Sequence, residues 1–299
     1  MSKQSADRFD TSVDLLPCIS HYCDHPLFGE ALRRAAYHMI AMHDAAPRIV
    51  RYTANLQKWL LTQTIIALHF EHLVDSSQPE LTAARLIEFM VNKSIASKNT
   101  AVAHLSEMRN YQLVVDGVRC SDKRARPLIV SALAETLIRQ WFEGHLHSLD
   151  TLDQAGRLEI SRGDPTLMSR VHPRAIRHLL TNPAWCNPPE SVATFVWTES
   201  GSNILHDLIA RTAATTPLEA PIWVGPLRLT EITNRYIISR SHAQRVFARA
   251  RELGIVGWEL PGNSGSFWIS PKLINDYRAW QAVKFAALDE AFTWTSLQR

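Results

Sequence analysis

The chain has 299 residues, of which 46% are hydrophobic and 20% charged, and its formal net charge is +3. These values exclude a disordered or fibrous protein and allow two domains with ordinary cores. The mild positive charge permits nucleic-acid binding through one basic face without requiring it. The polar first residues lack the apolar run of a secretory signal, and no apolar run is long enough to span a bilayer. We therefore expect a cytoplasmic protein with no membrane partner.

The first half of the chain combines helical periodicity with a short pair of strands. The predicted elements are a polar arm at 1–25, helices at 27–42 and 56–74, a helix-turn-helix at 81–111, strands at 113–118 and 127–130 joined by a basic tip at 119–126, and a helix at 132–147. Ser131 stands immediately before the last of these helices, where a serine hydroxyl caps free backbone N–H groups.

The N-terminal arm contains a short run of possible metal ligands, Cys18, His21, Cys23 and His25. Cysteine and histidine at short spacing can hold zinc, but structural zinc sites usually use two tight pairs separated by a longer loop. All four cysteines of the chain are scattered, which is typical of a reducing compartment. We predict no metal and no cofactor, and the sequence leaves metal binding by this run open.

The second half repeats the order of elements seen in the first. The predicted elements are a linker at 148–165, a helix at 168–180, a Pro-rich break at 182–189, helical sequence at 192–212, a loop at 215–226, a helix-turn-helix, strands at 255–258 and 266–269 around a turn at 261–265, and a helix at 271–293. Glycine and proline mark the linker and the breaks.

The clearest functional signal lies in residues 239–252. Ala243, Phe247 and Ala250 recur at helical spacing and form one apolar stripe. The remaining face and the preceding cap carry polar and basic side chains, namely Ser239, Arg240, Ser241, His242, Gln244, Arg245 and Arg249. Arginine and glutamine can each make two hydrogen bonds to a base edge or a phosphate. With the hairpin that follows, this segment predicts a winged helix that binds DNA.

The sequence predicts that the chain contains this unit twice. A shift of 142 residues aligns Ser97 with Ser239 and Leu105 with Phe247, and it places the apolar segment 55–74 on 197–216. Such a period is far longer than that of a solenoid repeat and indicates a duplicated domain. The expected fold is therefore mainly α with small β-hairpin wings, as two tandem winged helix-turn-helix domains. Their expected bounds are 26–147 and 166–299.

The first wing resembles that of the MarR family of bacterial winged-helix regulators. Asp122, Arg124 and Arg126 match the family's Asp-x-Arg-x-Arg wing tip, and residues 133–135 match part of the helix start that follows it. Ala134 replaces the family's threonine, and its glycine is absent. The resemblance covers roughly 27–147 and, more weakly, 166–295. It implies a nucleoid-associated DNA-binding regulator, with a wing arginine in the minor groove and Asp122 holding its guanidinium.

The two copies differ in the side chains that would face DNA. The first has a modest helix start and a basic wing, whereas the second has an arginine-rich helix and an uncharged wing tip, so we expect an asymmetric binding site. The candidate DNA-binding residues are Ser97, Lys98, Asn99, Thr100, Asp122, Lys123, Arg124, Arg126, Ser239, Arg240, Ser241, His242, Gln244, Arg245 and Arg249. Because MarR-like proteins bind DNA as dimers, the fused copies would form a pseudo-dimer within one chain.

Two other functions compete with a transcriptional regulator. A plasmid-type replication initiator also carries two winged helices in a chain near this length, although the Asp-x-Arg wing favours the regulator. A protein-interaction module would explain Val102 and Ala103 on the expected reading face of the first copy. An enzyme is the least favoured class, because no phosphate loop, nucleophile elbow or His-Glu-x-x-His is present, and His69-Phe-Glu-His72 has the wrong spacing.

Regulation and assembly stay open at this stage. Several aromatic residues fall on or beside the interface helices, namely Trp59, Trp141, Phe142, Trp185, Trp197 and Trp223. They either fill a core, which we favour, or line a pocket for a small-molecule effector. The chain is expected to be a monomeric pseudo-dimer or a homodimer, and we favour internal pairing.

Overall fold

The computed structural model describes residues 11, 13–117, 126–212 and 219–298, and 69% of the chain is helical. The helices are α1 (Leu16–Asp24), α2 (Phe28–Ala45), α3 (Pro47–Thr53), α4 (Leu56–Val74), α5 (Ala83–Asn92), α6 (Lys98–Asn110), α7 (Ala132–Asp153), α8 (Arg157–Gly163), α9 (Leu167–Thr181), α10 (Pro183–Cys186), α11 (Glu190–Val196), α12 (Gly201–Ala210), α13 (Leu229–Tyr236), α14 (Arg240–Glu252) and α15 (Pro271–Leu297). The strands are β1 (Val114–Asp116), β2 (Leu128–Val130), β3 (Ile222–Pro226), β4 (Val256–Leu260) and β5 (Ser264–Ile269). The mainly helical fold class with small β-sheets is confirmed. Within these ranges no helix combines the length and apolarity that a membrane span needs.

Side-chain caps fix where the main helices begin. The Asn55 side chain accepts hydrogen bonds from the first turn of α4, whose bounds agree with the predicted helix. Ser131 caps α7 as predicted, its Oγ lying 3.3 Å from the Ala134 nitrogen. Ser97, Ser239 and Ser270 cap α6, α14 and α15 in the same way. Each cap satisfies a backbone N–H that has no partner within its helix.

Both sheets are antiparallel and share one strand order. In the second half the order is β3-β5-β4, with Trp223 opposite Trp268 and Gly257 opposite the same residue. In the first half β1 pairs with β2, and Thr82 forms an isolated bridge with Pro127 just before β2. In each half, therefore, the extended segment that precedes the helix pair lies beside the last strand. It lies on the side of that strand opposite the first strand of the hairpin.

The predicted loop at 215–226 is wrong over its last five residues, which form β3. Ile222, Trp223 and Val224 have side chains that favour strands, but so short a run has no periodicity of its own. Pairing with β5 gives this segment its extended conformation.

Helices α6 and α14 have the same length and end in the same way. Each has thirteen residues, and their first residues are Lys98 and Arg240. Beyond each helix a residue adopts a left-handed conformation, Gln112 with φ 54° and Gly254 with φ 65°. The next backbone N–H then donates back into the helix, from Leu113 to Met108 over 2.9 Å and from Ile255 to Ala250 over 3.1 Å. The shift of 142 residues found in the sequence thus relates two segments of matching backbone geometry.

The two halves of the chain pack together through helices that contact both their own half and the other half. Within the halves, α2 lies on α7 and α9 lies on α15. Between the halves, α2 lies on α12 and α9 lies on α4. One core cluster consequently runs from Leu15 in the first half to Phe292 in the last helix. The three long helices that were predicted to bury one another, α2, α4 and α15, are buried mainly against α7, α9 and α12 instead.

Three regions differ from the predicted elements. The expected N-terminal arm contains α1, which packs on α15, where the Tyr22 hydroxyl donates to Asp289 over 2.6 Å. The expected linker at 148–165 contains the end of α7 and all of α8, held together by Arg157 against Asp150 and Asp153. The expected helical stretch at 192–212 is divided into α11 and α12. A Cβ at Gly201 would lie 1.8 Å from the Phe195 carbonyl oxygen, so only glycine fits at this break.

A buried carboxylate links helices of the two halves. Glu71 in α4 has a fully buried side chain and accepts hydrogen bonds from Arg85 in α5 at 3.0 Å and from Arg177 in α9 at 2.6 Å. On the other side of the interface, Arg235 in α13 pairs with Asp44 at the end of α2 at 2.6 Å. Burying a carboxylate is costly unless cations and hydrogen bonds compensate it, so this cluster is sensitive to the loss of any member.

We expect Glu71→Ala to lower the free energy of unfolding by about 2–4 kcal/mol. The change leaves Arg85 and Arg177 without their shared carboxylate, and both arginines are only partly exposed. Urea unfolding followed by tryptophan fluorescence and by far-UV circular dichroism measures this loss. Glu135→Ala is the control, because Glu135 is a half-exposed carboxylate whose removal should cost less than about 1 kcal/mol. Equal losses for the two variants, or two separate transitions in the parent chain, would contradict this account.

The free energy of unfolding should fall as the pH drops below about 6.5. Burial lowers the pKa of His172 and of His206 to about 3, so these residues stay neutral in the folded chain while the unfolded chain takes up protons. Their contribution to stability is complete above the unfolded pKa and is lost towards pH 3, by at most about 1.4 kcal/mol per pH unit for each histidine. His172→Gln should flatten the slope measured by urea unfolding between pH 7 and pH 5. His21→Gln, at an exposed histidine, should leave the slope unchanged.

Candidate nucleic-acid interface

Helix α14 buries one face and exposes the other. The predicted stripe is confirmed, since Ala243, Phe247 and Ala250 are buried together with Val246. The Phe247 ring contacts Phe195, Trp258 and Phe267, with ring centroids 5.7–6.2 Å apart. These contacts hold the helix on α11 and on the three-stranded sheet. The opposite face therefore stands free of the core.

The exposed N-terminal end of α14 carries most of the predicted DNA-binding residues of the second half. Arg240, Ser241, Gln244 and Arg245 are all exposed. The Ser239 Oγ lies 3.1 Å from the His242 backbone nitrogen and caps the helix. These residues share one surface at the start of the helix, which we call the α14 ridge.

His242 connects the α14 ridge to the first half of the chain. Its Nε2 lies 3.2 Å from the Glu199 carbonyl oxygen, and its Nδ1 lies 3.2 Å from a guanidinium nitrogen of Arg245. The carboxylate of Glu199 in turn accepts from Arg51 Nε over 2.9 Å. Sequence reasoning missed this chain of contacts, because its partners are far apart along the chain and no local pattern marks them.

Arg249 differs from the other predicted residues of α14. Its guanidinium donates to Glu190 in α11 over 2.6 Å, and a second nitrogen lies 3.4 Å from Glu252. The side chain remains about half exposed. Arg249 is thus turned towards carboxylates of its own half rather than extended from the α14 ridge.

Helix α6 exposes a smaller and more apolar surface. Ser97 Oγ caps it through the Thr100 nitrogen at 3.2 Å, and Lys98 and Asn99 are exposed. Thr100 is half-buried, and its hydroxyl lies 2.9 Å from that of Ser97. At the next turn Val102 is 43% exposed. The structure thus brings Ser97–Thr100 together at the helix start but gives them apolar neighbours.

The wings lie beyond these helices. Arg126 is exposed two residues before β2, whereas Asp122, Lys123 and Arg124 lie outside the described residues. In the second half, β4 and β5 extend further than predicted and enclose a turn in which Gly262 has φ 74°. The turn of the second wing thus has a glycine at a position where the backbone is left-handed, a conformation that glycine adopts without strain.

The predicted aromatic residues divide into three groups. Trp59, Trp141 and Trp185 line a cavity of about 130 Å³ between the two halves of the chain. Phe142 is fully buried in the core, whereas Trp197 and Trp223 are 42% and 54% exposed. Sequence reasoning did not identify Trp280 and Lys284, which line the same cavity from α15.

The backbone of the Cys and His run near the N-terminus helps to hold α1 in place. Arg278 donates to the carbonyl oxygens of Cys23 and His25 over 2.9 Å and 2.7 Å, which fixes the end of α1 against α15. Over the described ranges, no group of three or more His, Cys, Asp or Glu side chains is placed to hold a metal ion.

The chain matches no protein-family model, no curated protein and no solved structure. The resemblance to the MarR family therefore depends on the residues of the first wing and on no other protein.

Proposed function

We propose that the chain is a transcriptional regulator that binds duplex DNA, with two winged helices paired inside one chain in the manner of a MarR-family dimer. The observation that carries this proposal is the α14 ridge. Arg240, Gln244 and Arg245 extend from the start of a helix that a capped turn and a three-stranded sheet hold in place.

The strand order supports a winged helix in each half. A winged helix has a short strand, two helices and a hairpin, and the first strand pairs with the last. The order β3-β5-β4 around α13 and α14 agrees with this arrangement. In the first half, the Thr82–Pro127 bridge beside β1 and β2 gives the same order around α5 and α6. The equal lengths and caps of α6 and α14 support duplication of one unit.

The helix contacts between the two halves support internal pairing. Contacts of α2 with α12 and of α9 with α4 are what a two-fold axis between two similar halves would produce, because each half gives the other the same pair of surfaces. Such pairing fixes the distance between the two reading helices. Dimeric helix-turn-helix proteins place these helices about 34 Å apart, in successive major grooves.

The chemistry of the exposed side chains suits DNA. In this proposal Arg245 and Gln244 bond to base edges in the major groove, while Arg240 and the capped helix start contact phosphates. Lys98 and Asn99 make weaker contacts in the first half, and Arg124 of the first wing enters a minor groove. The predicted asymmetry follows, since only the second reading helix carries arginines in its first two turns.

A second function has one observation in its favour. The exposed side chain of Val102 on α6 would sit poorly against a polar groove, and it fits contact with another protein. In this alternative the first half is an interaction module, while the second half alone retains a polar reading surface.

We expect Arg245→Ala to weaken DNA binding at particular base pairs by about 1–3 kcal/mol, because it removes a bidentate contact. Fluorescence anisotropy with genomic fragments from upstream of the chain's own gene, titrated with salt, gives the affinity of each variant. Arg162→Ala is the matched control, since Arg162 in α8 is an exposed arginine outside the proposed winged helices. Arg249→Ala should have a smaller effect than Arg245→Ala, because Arg249 is paired with Glu190.

The salt dependence separates the two functions. Displacement of counterions from several phosphates should make the affinity fall steeply as salt increases. The absence of binding at about 50 mM salt, or a flat salt response, would exclude phosphate contacts as the source of affinity and would favour the interaction module.

We expect light scattering to give a mass near the 33.8 kDa of one chain, with one chain bound per DNA site. The physical reason is that α2, α4, α9 and α12 already bury one another within the chain. A stable species of twice that mass, free or on DNA, would contradict internal pairing. It would instead indicate a homodimer with four winged helices.

A further inference from the structure

The cavity between the two halves has aromatic walls. Trp59 and Trp141 line it from the first half, and Trp185 and Trp280 line it from the second. The rings of Trp185 and Trp280 are stacked with centroids 4.4 Å apart, and the Trp59 ring meets Trp185 edge-on at 5.3 Å. The cavity holds about 130 Å³. An apolar cavity of about 150 Å³ binds benzene, so this one accommodates a single ring.

A buried amine faces this cavity. Lys284 lies one helical turn after Trp280 on α15, lines the cavity and is only 4% exposed. Its Nζ lies 5.9 Å from the centre of the Trp185 ring. Among the residues that the structure describes, no carboxylate pairs with this amine. Because burial disfavours the ammonium form, the pKa of Lys284 falls to about 7, and a large fraction of the amine is neutral at physiological pH.

The other polar groups around the cavity supply hydrogen-bond donors and neutral rings. His206 in α12 lines the cavity, and His145 in α7 lies behind the Trp141 ring rather than at the cavity wall. Both are buried, and burial and the nearby Lys284 lower their pKa, so neither carries charge at neutral pH. The side-chain nitrogens Gln281 Nε2 and Trp185 Nε1 are buried and have no hydrogen-bond partner in the described part of the chain. Together these groups favour a ligand that bears an oxygen and no positive charge.

We propose that this cavity captures a small carbonyl compound, about the size of one aromatic ring, as an imine on Lys284. The neutral amine donates its electron pair to the carbonyl carbon, the oxygen takes up the two protons that the nitrogen gives up and leaves as water, and a C=N bond remains. Nothing is oxidised or reduced, and no other reactant is needed. Buried lysines that remain neutral are the ones that form such Schiff bases.

The surroundings select for a carbonyl compound over a carboxylic acid. A neutral aldehyde loses little solvation on entering apolar walls, whereas a carboxylate loses much more. The tryptophans pack on the ring and exclude water, which slows hydrolysis of the imine. Since residues of both halves line the cavity, the captured compound also contacts both halves. The capture itself does not depend on the proposed DNA binding.

The test treats the whole chain with benzaldehyde and sodium cyanoborohydride, which reduces an imine to a stable secondary amine. Mass spectrometry of the peptides should find a benzyl group on Lys284 before any other lysine is labelled, with the α-amino group scored separately because its ordinary pKa is near 8. The comparison residue is Lys272, an exposed lysine on the same helix. An ordinary lysine has a pKa near 10.4, so at pH 7 its neutral fraction is smaller by a factor of about a thousand. Lys284 should therefore be labelled at least tenfold faster than Lys272.

Two variants and one competitor complete the test. Lys284→Met should lose the fast label and keep its far-UV circular dichroism, whereas Lys272→Met should keep the fast label. Labelling of Lys284 no faster than of Lys272 in the parent chain would overturn the proposal, and this comparison does not require the variant to fold. Benzoate that raises the melting temperature, with no adduct trapped from benzaldehyde, would also overturn it and would indicate charge pairing with Lys284 instead.

Discussion

The structure depends on the packing of helices of one half of the chain against helices of the other half. Helix α4 lies on α9, and α2 lies on α12, so neither half completes its core without the other. Glu71 fixes this arrangement, because its buried carboxylate needs an arginine from each half. Arg235 is held by the carboxylates of Asp44 and Asp207, which also come from different halves. A chain built in this way should fold and unfold as one unit.

The same scaffold presents two surfaces of different chemistry. Helices α6 and α14 have matching lengths, caps and left-handed residues beyond their ends, yet α14 exposes Gln244 and Arg245 where α6 exposes Val102 and Ala103. Backbone geometry is set by the buried face of each helix, which leaves the exposed face free to differ. In the proposed regulator, one half reads base edges while the other mainly holds the DNA in place.

Three titratable side chains packed between the halves lose charge through burial, whereas Glu71 is paired with two arginines. His172 and His206 remain neutral because an apolar environment disfavours their protonated forms, and Lys284 loses much of its charge for the same reason. The histidines keep hydrogen bonds: His172 Nε2 lies 2.7 Å from Gln63 Oε1, and His206 Nδ1 lies 2.8 Å from the Tyr277 hydroxyl. Lys284 has no such bond in the described part of the chain, and its amine is the group that we propose to react with a carbonyl compound.

Local sequence signals determined the helices and their ends. The caps at Ser131 and Ser239, the bounds of α4 and the apolar stripe of α14 were all predicted, because each depends on residues within a few positions of one another. The spacing of 142 residues between α6 and α14 was also visible in the sequence. These features fix the mainly helical class and the position of the α14 ridge.

Only the tertiary structure decided what the long-range contacts are. Strand β3 is extended because β5 pairs with it, and α1 belongs to the core because Tyr22 reaches Asp289. The roles of Glu71 and Lys284 depend on helices that are distant along the chain and adjacent in space. A single sequence carries no local pattern for such pairs, since burial and partners, not residue type, determine whether a charged side chain is solvated, paired or held neutral.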